Sequence, residues 1–167
     1  MKQFLTFPNP VDDAAARTVA LGVVAMSALA LFFNAPWILV PLTYGFLARV
    51  AHGPHWSPLG QFATRVAAPR LTKWHKFVAG PPKRFAQGVG AVLTVSACVL
   101  WATEGWLAAR WLLVPLMIAA ALEGFAGFCL GCTVFGWLMR WGVIPDSVCL
   151  ECSDLTARYT AAGYPPR

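Results

Sequence analysis

The sequence predicts an all-α integral membrane protein with four transmembrane helices, arranged as two repeated hairpins with an amphipathic cytoplasmic connector. The first observation is composition: 58% of the residues are hydrophobic, 12% are charged and the mean hydropathy is +0.60. Soluble domains carry about 25% charged residues. The other two observations are four apolar stretches and a basic segment between the second and the third. A chain so poor in charge has too little polar surface to cover a globule in water, so we expect a bilayer around it.

The pattern divides the chain into a membrane domain and a tail. Residues 1–141 are expected to form the four-helix domain, with hairpins at 12–52 and 85–126 and the basic connector at 49–84. Residues 142–167 are expected to form a cytoplasmic tail.

The first hairpin is predicted from its apolar runs and their end signals. Span one covers about residues 14–33, with Asp12 or Asp13 as its N-cap. The turn Asn34-Ala35-Pro36 leads to span two at about 36–50. Span two is short for a bilayer, which takes about 20 residues of helix.

The second hairpin follows the connector. Span three covers about residues 85–103, and the turn Glu104-Gly105 leads to span four, from 106 to 123 or beyond. Within the connector, Ser57-Pro58 reads as an N-cap followed by proline in the first helical turn. The helix predicted after it lies on the membrane surface and stops at Pro69.

Basic residues predict the orientation. Seven of the thirteen Lys and Arg residues lie in 49–84, where there is no Asp or Glu. If this connector is cytoplasmic, both termini are too, and twelve of the thirteen lie inside, leaving Arg110 outside. We therefore expect a multi-pass protein of the bacterial inner membrane. Between apolar spans, such a segment favours contact with anionic lipid headgroups over nucleic acid.

An internal repeat relates the two hairpins. The run Trp37-Ile38-Leu39-Val40-Pro41-Leu42 matches Trp111-Leu112-Leu113-Val114-Pro115-Leu116 at an offset of 74 residues. The offset superposes span one on span three and span two on span four. It also places Arg49 opposite Glu123, and we expect these opposite charges to approach each other near the inner membrane face.

Four of the five cysteines form two CxxC pairs, which are the candidate catalytic residues: Cys129 with Cys132, and Cys149 with Cys152. Sixteen residues separate the pairs, a spacing within the range of zinc ribbons, so the same four thiols are the alternative metal ligands. Cys98 lies alone in span three and is expected to be a small core residue.

Thiol chemistry is favoured over zinc by the residues around the first pair. Gly124, Gly127 and Gly131 allow a helix break, and the apolar run 133–141 that follows is helical in character, unlike a zinc knuckle. A CxxC motif in the first turn of a helix has its leading thiolate stabilised by free backbone N–H groups. In a reducing cytoplasm both pairs should rest as dithiols, and no cofactor is expected, with zinc as the alternative.

Several motifs resemble a bacterial membrane family catalogued as domain of unknown function 4395. They lie between about residues 10 and 152, and the last is the most specific: Gly53-Pro54, Ser57-Pro58-Leu59, Pro69-Arg70-Leu71, Pro82 to Gly90, and Gly127-Phe128-Cys129-Leu130-Gly131-Cys132. The resemblance implies a four-helix membrane protein in a sulfur or redox context, because many members are associated with thioredoxin-like or sulfurtransferase proteins. The polar tail after Cys152 departs from the family.

Together these expectations describe a membrane protein whose cytoplasmic cysteines exchange electrons or sulfur with a soluble thioredoxin-like or sulfurtransferase partner. A transporter of a small sulfur compound and a zinc-stapled structural subunit are the alternatives. Whether the chain is an enzyme stays open at this point.

Overall fold

The computed structural model describes residues 11–71, 77–149 and 152, and its regular structure is almost entirely helical. The helices are α1 (Asp13–Phe32), α2 (Leu39–His52), α3 (Pro58–Phe62), α4 (Gly80–Glu104), α5 (Trp106–Ala121) and α6 (Leu130–Arg140). Two short strands, β1 (Val11–Asp12) and β2 (Phe77–Val78), pair antiparallel. Short 3₁₀ or π turns extend several helices: Pro36–Ile38, Gly53–His55, Ala63–Ala67, Ala68–Arg70, Leu122–Ala126 and Asp146–Val148. The prediction of an all-α protein is confirmed.

The predicted helix ends are found where side chains can satisfy the backbone. Asp12 caps α1, its carboxylate accepting the Ala14 N–H at 2.8 Å. Ser57 caps α3 by accepting the Gly60 N–H at 3.2 Å, with Pro58 in the first turn. α4 begins at Gly80, earlier than the predicted start of span three, because the prolines at positions 81 and 82 fit a first turn whose N–H groups need no helical partner.

Helices α1 and α4 start at the same end of the bundle. Val11 pairs with Val78 immediately before the two helices begin, and Lys83 of α4 reaches Asp13 of α1. The chain must therefore return between them, and α2 does this: its last turn lies beside the first turns of α4, where Arg84 donates to the Val50 carbonyl. We call this the connector end.

Within the described residues, three helical segments are long and apolar enough to cross a membrane: Asp13–Phe32, Gly80–Glu104 and Trp106–Ala126. A helix is present at all four predicted positions, but α2, with 14 residues, is shorter than the 18 residues taken as the minimum for a membrane-spanning helix. The two predicted hairpins also differ from each other in how closely their helices pack. α4 lies along both α5 and α2, whereas α1 packs on α5 and contacts α2 little.

The bundle is packed as expected for a protein surrounded by lipid. Alanines at helix contacts are fully buried, among them Ala30, Ala97 and Ala109, and they let the backbones approach closely. Large apolar side chains point outward instead: Val92 and Trp111 are each 66% exposed. Leu39, Leu42 and Leu113 are buried as well, so the bundle has an apolar core and also an apolar outer surface, as expected in lipid.

Candidate thiol site at the connector end

The first CxxC pair lies at the start of a short helix, as predicted. The helical path of α5 ends in the π turn Leu122–Ala126, and Gly127 closes it with a left-handed φ of 69°. Cys129 is then the N-cap of α6, and its sulfur accepts the backbone N–H of Cys132 at 3.3 Å. The thiol therefore occupies the position where a cap side chain meets an unpaired N–H group.

The two thiols of this pair are held in different electrostatic states. The pKa of Cys129 is lowered, first because its sulfur accepts a hydrogen bond from the Cys132 thiol, against the opposing effect of burial. Glu123 also raises this pKa, whereas Lys83 lowers it. The pKa of Cys132 is raised, first by the same hydrogen bond and then by burial. The hydrogen bond between the two sulfurs thus favours ionisation of Cys129 over ionisation of Cys132.

A buried charge network lies beside the pair. Lys83 Nζ is 2.6 Å from Glu123 Oε1 and 3.3 Å from Asp13 Oδ1. Arg17 Nε donates to the other oxygen of Asp13 at 2.9 Å. The side chains of Lys83, Asp13 and Glu123 are only 8%, 10% and 13% exposed. Charges so deeply buried are tolerated because each has a partner of opposite sign.

Arg49 and Glu123 are close enough to interact electrostatically, as predicted, but the ion pair of Glu123 is formed with another residue. Glu123 forms its ion pair with Lys83, while Arg49 donates to Gln87 Oε1 at 2.8 Å and to Ser57 Oγ at 3.1 Å. Arg49 lies at the connector end, but Lys83, in the first turn of α4, is the residue at ion-pair distance from the Glu123 carboxylate.

Two glycines allow the Gly127–Cys132 motif to pack closely against α1 and α4. A Cβ on Gly127 would collide with the guanidinium of Arg17, and one on Gly131 would lie 2.5 Å from Cβ of Ala86. The first contact ties the helix break to α1, and the second presses α6 against α4. The glycine spacing of the Gly127–Cys132 motif therefore has a packing reason as well as a conformational one.

The second CxxC pair reaches the first through a shared cavity. A cavity of about 360 Å³ is lined by Cys129, Cys132 and Cys152, together with Lys83 and Asp13. Cys149 is buried beside Ala79 and Phe135.

Cys149 and Cys152 are joined in a disulfide, with their Cα atoms 5.3 Å apart. The expectation of a resting dithiol is therefore not met at this pair. The physical reason is that the Cys152 N–H donates to the Cys149 carbonyl at 3.0 Å, which keeps the two cysteines within bonding reach. Cys129 and Cys132 are free thiols, as is Cys98, which lies 3.3 Å from Thr43 Oγ1 within the bundle.

Metal-ligating side chains are not gathered at this site. Across residues 11–71, 77–149 and 152, no group of three or more His, Cys, Asp or Glu side chains is arranged to hold a metal ion. With Cys149 and Cys152 bonded to each other, two free thiols face the cavity. The alternative zinc site needs that disulfide reduced before four sulfurs are available as ligands.

Asp13 and Lys83 were not expected at the site. In the sequence, Asp13 reads as a helix cap and Lys83 as one of many connector bases. The sequence did contain one indication that Asp13 and Lys83 are close in space. Each residue lies at the start of a long apolar run, and the starts of parallel helices lie at the same end of a bundle. Their distance of 70 residues in the chain hides the pairing.

Comparison with known proteins identifies the family to which these motifs point. The family model described as Domain of unknown function (DUF4395) matches residues 11–140. This range holds α1 to α6, the buried charge network and the first CxxC pair. Comparison with curated proteins and with solved structures finds no match.

Proposed function

Because the chain belongs to the DUF4395 family, which is described only as a domain of unknown function, we propose its function from the site itself. We propose that this membrane protein exchanges electrons or sulfur with a soluble thioredoxin-like or sulfurtransferase protein through Cys129 and Cys132. The partner docks at the connector end, where both CxxC pairs lie.

One observation carries the proposal: Cys129 caps α6 with its sulfur while Cys132 stands one turn away in the same cavity. A thiolate at a helix N-terminus is an activated nucleophile, and a second thiol within one turn can resolve the intermediate it forms. Neither property is needed for a cysteine that only fills space.

The exchange follows from these roles. The Cys129 thiolate attacks one sulfur of the partner's disulfide, forming a mixed disulfide and releasing the other sulfur as a thiolate. Cys132 loses its proton and attacks the Cys129 sulfur, so the partner leaves as a dithiol and the Cys129–Cys132 pair is oxidised. When the partner carries a persulfide, Cys129 accepts its outer sulfur and the partner's thiolate leaves. Cys152, on the same cavity, allows the Cys149–Cys152 disulfide to relay between the first pair and the partner.

A four-span topology with cytoplasmic ends completes the proposal. The parallel starts of α1 and α4 support a return crossing by α2, which with its leading 3₁₀ turn covers residues 36–52 continuously. At 1.5 Å per residue this segment spans roughly 25 Å, near the thickness of the hydrocarbon core. The basic connector supports placing the connector end in the cytoplasm of a bacterial cell, against the inner membrane.

Trapping of a mixed disulfide tests the proposal. Protein in detergent, with its disulfide reduced, is mixed with a small aromatic disulfide, and adducts are mapped by mass spectrometry. We expect Cys132→Ser to accumulate an adduct at Cys129, Cys129→Ser to form none at position 132, and the control Cys98→Ser to behave as the native chain. The proposal is wrong if Cys129 reacts no faster than Cys98. Protection of all four CxxC thiols until a chelator is added identifies the zinc alternative instead.

A further inference from the structure

A second cavity lies on the membrane side of Cys129. It has a volume of about 360 Å³ and is bounded by α1, α4, α5 and α6, with Phe46 of α2 at its wall. Almost all of its lining side chains are apolar. The exceptions gather at the connector end, where Glu123, Gln87 and Cys129 line it. Cys129 therefore borders both this apolar cavity and the polar cavity that holds Cys132 and Cys152.

The polar end of this cavity presents a hydrogen-bond donor. Arg49 Nε donates to Gln87 Oε1 at 2.8 Å, and because a guanidinium can only donate, this bond fixes the amide with its nitrogen as a donor. Arg49 is 5% exposed, and its Nη2 has no hydrogen-bond partner among the described residues. A buried cation with spare donor capacity thus stands directly behind Gln87, where it favours an acceptor that gains negative charge.

The cavity reaches the lipid-facing surface between α4 and α6. Val89, Leu130 and Val134 all line it, and they are 44%, 39% and 42% exposed. Exposed apolar side chains at the mouth of an apolar cavity let a lipid-soluble molecule enter sideways from the bilayer. Water-soluble reactants meet Cys132 and Cys152 through the other cavity instead.

We propose that this apolar cavity binds a membrane quinone, which oxidises the Cys129–Cys132 dithiol; the inference rests on the thiol exchange proposed above. A quinone fits the shape and polarity of the cavity. It has a flat ring, carbonyl oxygens that accept hydrogen bonds from Gln87, and an apolar tail that extends through the opening into the lipid. A volume of about 360 Å³ holds the ring and the first part of a tail.

The reaction balances within the site. The Cys129 thiolate adds to a ring carbon, and the electron pair moves to a quinone oxygen, which takes up a proton. Cys132 then loses its proton and attacks the Cys129 sulfur. An S–S bond forms, the S–C bond breaks and its electron pair returns to the ring, whose other oxygen takes up the second proton. The dithiol loses two electrons and two protons, and the quinone becomes a hydroquinone. When the exchange proposed above runs in reverse, a soluble dithiol partner reduces the Cys129–Cys132 disulfide again, and electrons from that partner enter the membrane pool.

Quinone reduction by purified protein tests the inference. Protein in lipid nanodiscs is first reduced, then mixed without oxygen with a short-chain benzoquinone or, in a second arm, a short-chain naphthoquinone. Loss of quinone absorbance is followed by stopped flow. We expect the native chain to reduce at least one of the two rings and to form the Cys129–Cys132 disulfide.

Two cavity variants and one matched control locate the reaction. Ala119→Trp fills the cavity and should slow quinone reduction at least tenfold, while Ile118→Trp, on the neighbouring lipid-facing position that is 52% exposed, should not. Gln87→Leu removes the donor and should raise the quinone KM about tenfold. Exchange with the small aromatic disulfide should persist in all three.

The outcomes separate this inference from the proposed function. Exchange with the aromatic disulfide but no reduction of either quinone overturns the quinone site and leaves thiol exchange standing. Quinone reduction that neither Ala119→Trp nor Gln87→Leu slows places the reaction elsewhere and also overturns it. Absence of exchange with the aromatic disulfide removes the proposed function, and this inference with it.

Discussion

The Cys129 sulfur is the N-cap of α6 and, in the exchange proposed above, also the reacting atom. As the N-cap of α6 it accepts the Cys132 N–H, a task for which Ser, Thr, Asp and Asn are the preferred residues. Sulfur is a weak acceptor, so a thiol at this position is a poorer cap than a hydroxyl. It gains instead from the hydrogen bonds that lower its pKa. The identity of the cap therefore points to reactivity as the reason for a cysteine here.

The cap and the chemistry of Cys129 can be separated by two substitutions. Cys129→Ser keeps an acceptor at the N-cap, so its free energy of unfolding should be unchanged or slightly higher. Cys129→Ala removes the acceptor and should be less stable than the serine variant by about 1 kcal/mol. Both variants should lose fast alkylation. Denaturant unfolding in detergent measures the difference, and equal stability of the two variants would contradict a capping role.

The pH dependence of alkylation reports the charge environment of Cys129. Because its pKa is lowered, its alkylation rate should reach half of its plateau at a lower pH than that of an ordinary cysteine. Glu123 raises this pKa, so Glu123→Gln should move the midpoint to still lower pH. Glu104→Gln, at the opposite end of α4, is the matched control and should leave it unchanged. A midpoint that rises in Glu123→Gln would refute the assigned electrostatics.

Lys83 should be the most sensitive charge in the bundle, because it alone contacts both Asp13 and Glu123 among the described ion pairs. Lys83→Met leaves two buried carboxylates without this partner and should lower the free energy of unfolding by about 3 kcal/mol. Lys83→Arg keeps the charge and should lose much less. A loss in Lys83→Met no larger than that in Lys83→Arg would show that the network carries little stability. Thermal unfolding in one detergent compares the two.

Helix ends were predictable from the sequence because they are decided locally. The caps at Asp12 and Ser57, the turn at Gly105 and the break near Gly127 all follow from residues within one turn of the event. Lateral helix contacts were not. The Lys83–Glu123 pair joins residues 40 positions apart in the sequence. A repeated pattern of apolar residues does not determine which helices pack against each other. The Cys129–Cys132 helix start was therefore foreseen, while its buried charge network was not.

Gly127 should tolerate alanine much less well than another helix-associated glycine. Its φ of 69° disfavours any Cβ by about 1–2 kcal/mol, and the Arg17 guanidinium occupies the space a Cβ needs. Gly127→Ala should thus be less stable by at least that amount and should disturb the start of α6. Gly88→Ala, where a Cβ meets nothing within 4 Å inside α4, should be neutral or slightly stabilising. Similar melting temperatures for the two variants would refute the strain argument.

The whole molecule is polarised from end to end. The connector end contains the starts of α1 and α4 and the ends of α2 and α5. It also contains the charge network, both CxxC pairs and the two cavities that Cys129 borders. The opposite end carries the turns at Asn34 and Gly105 and, nearby, Arg110. The proposed thiol site and the positive charge therefore lie on one side, so the orientation of the bundle decides which compartment would supply the proposed soluble partner.

Reporter fusions should place the connector end in the cytoplasm and distinguish four crossings from three. If α2 crosses, fusions after residue 71 and after Arg167 lie on the same side as the N-terminus, which we expect in the cytoplasm from the distribution of basic residues. We expect alkaline phosphatase to be inactive and green fluorescent protein to fluoresce at both sites. A phosphatase inserted in the turn at Ala35 should be active. If α2 does not cross, the connector and the C-terminus both move to the periplasm, and the activities at those two sites reverse. That reversal would contradict the four-span topology and also the cytoplasmic partner, because Cys129 would then face an oxidising compartment.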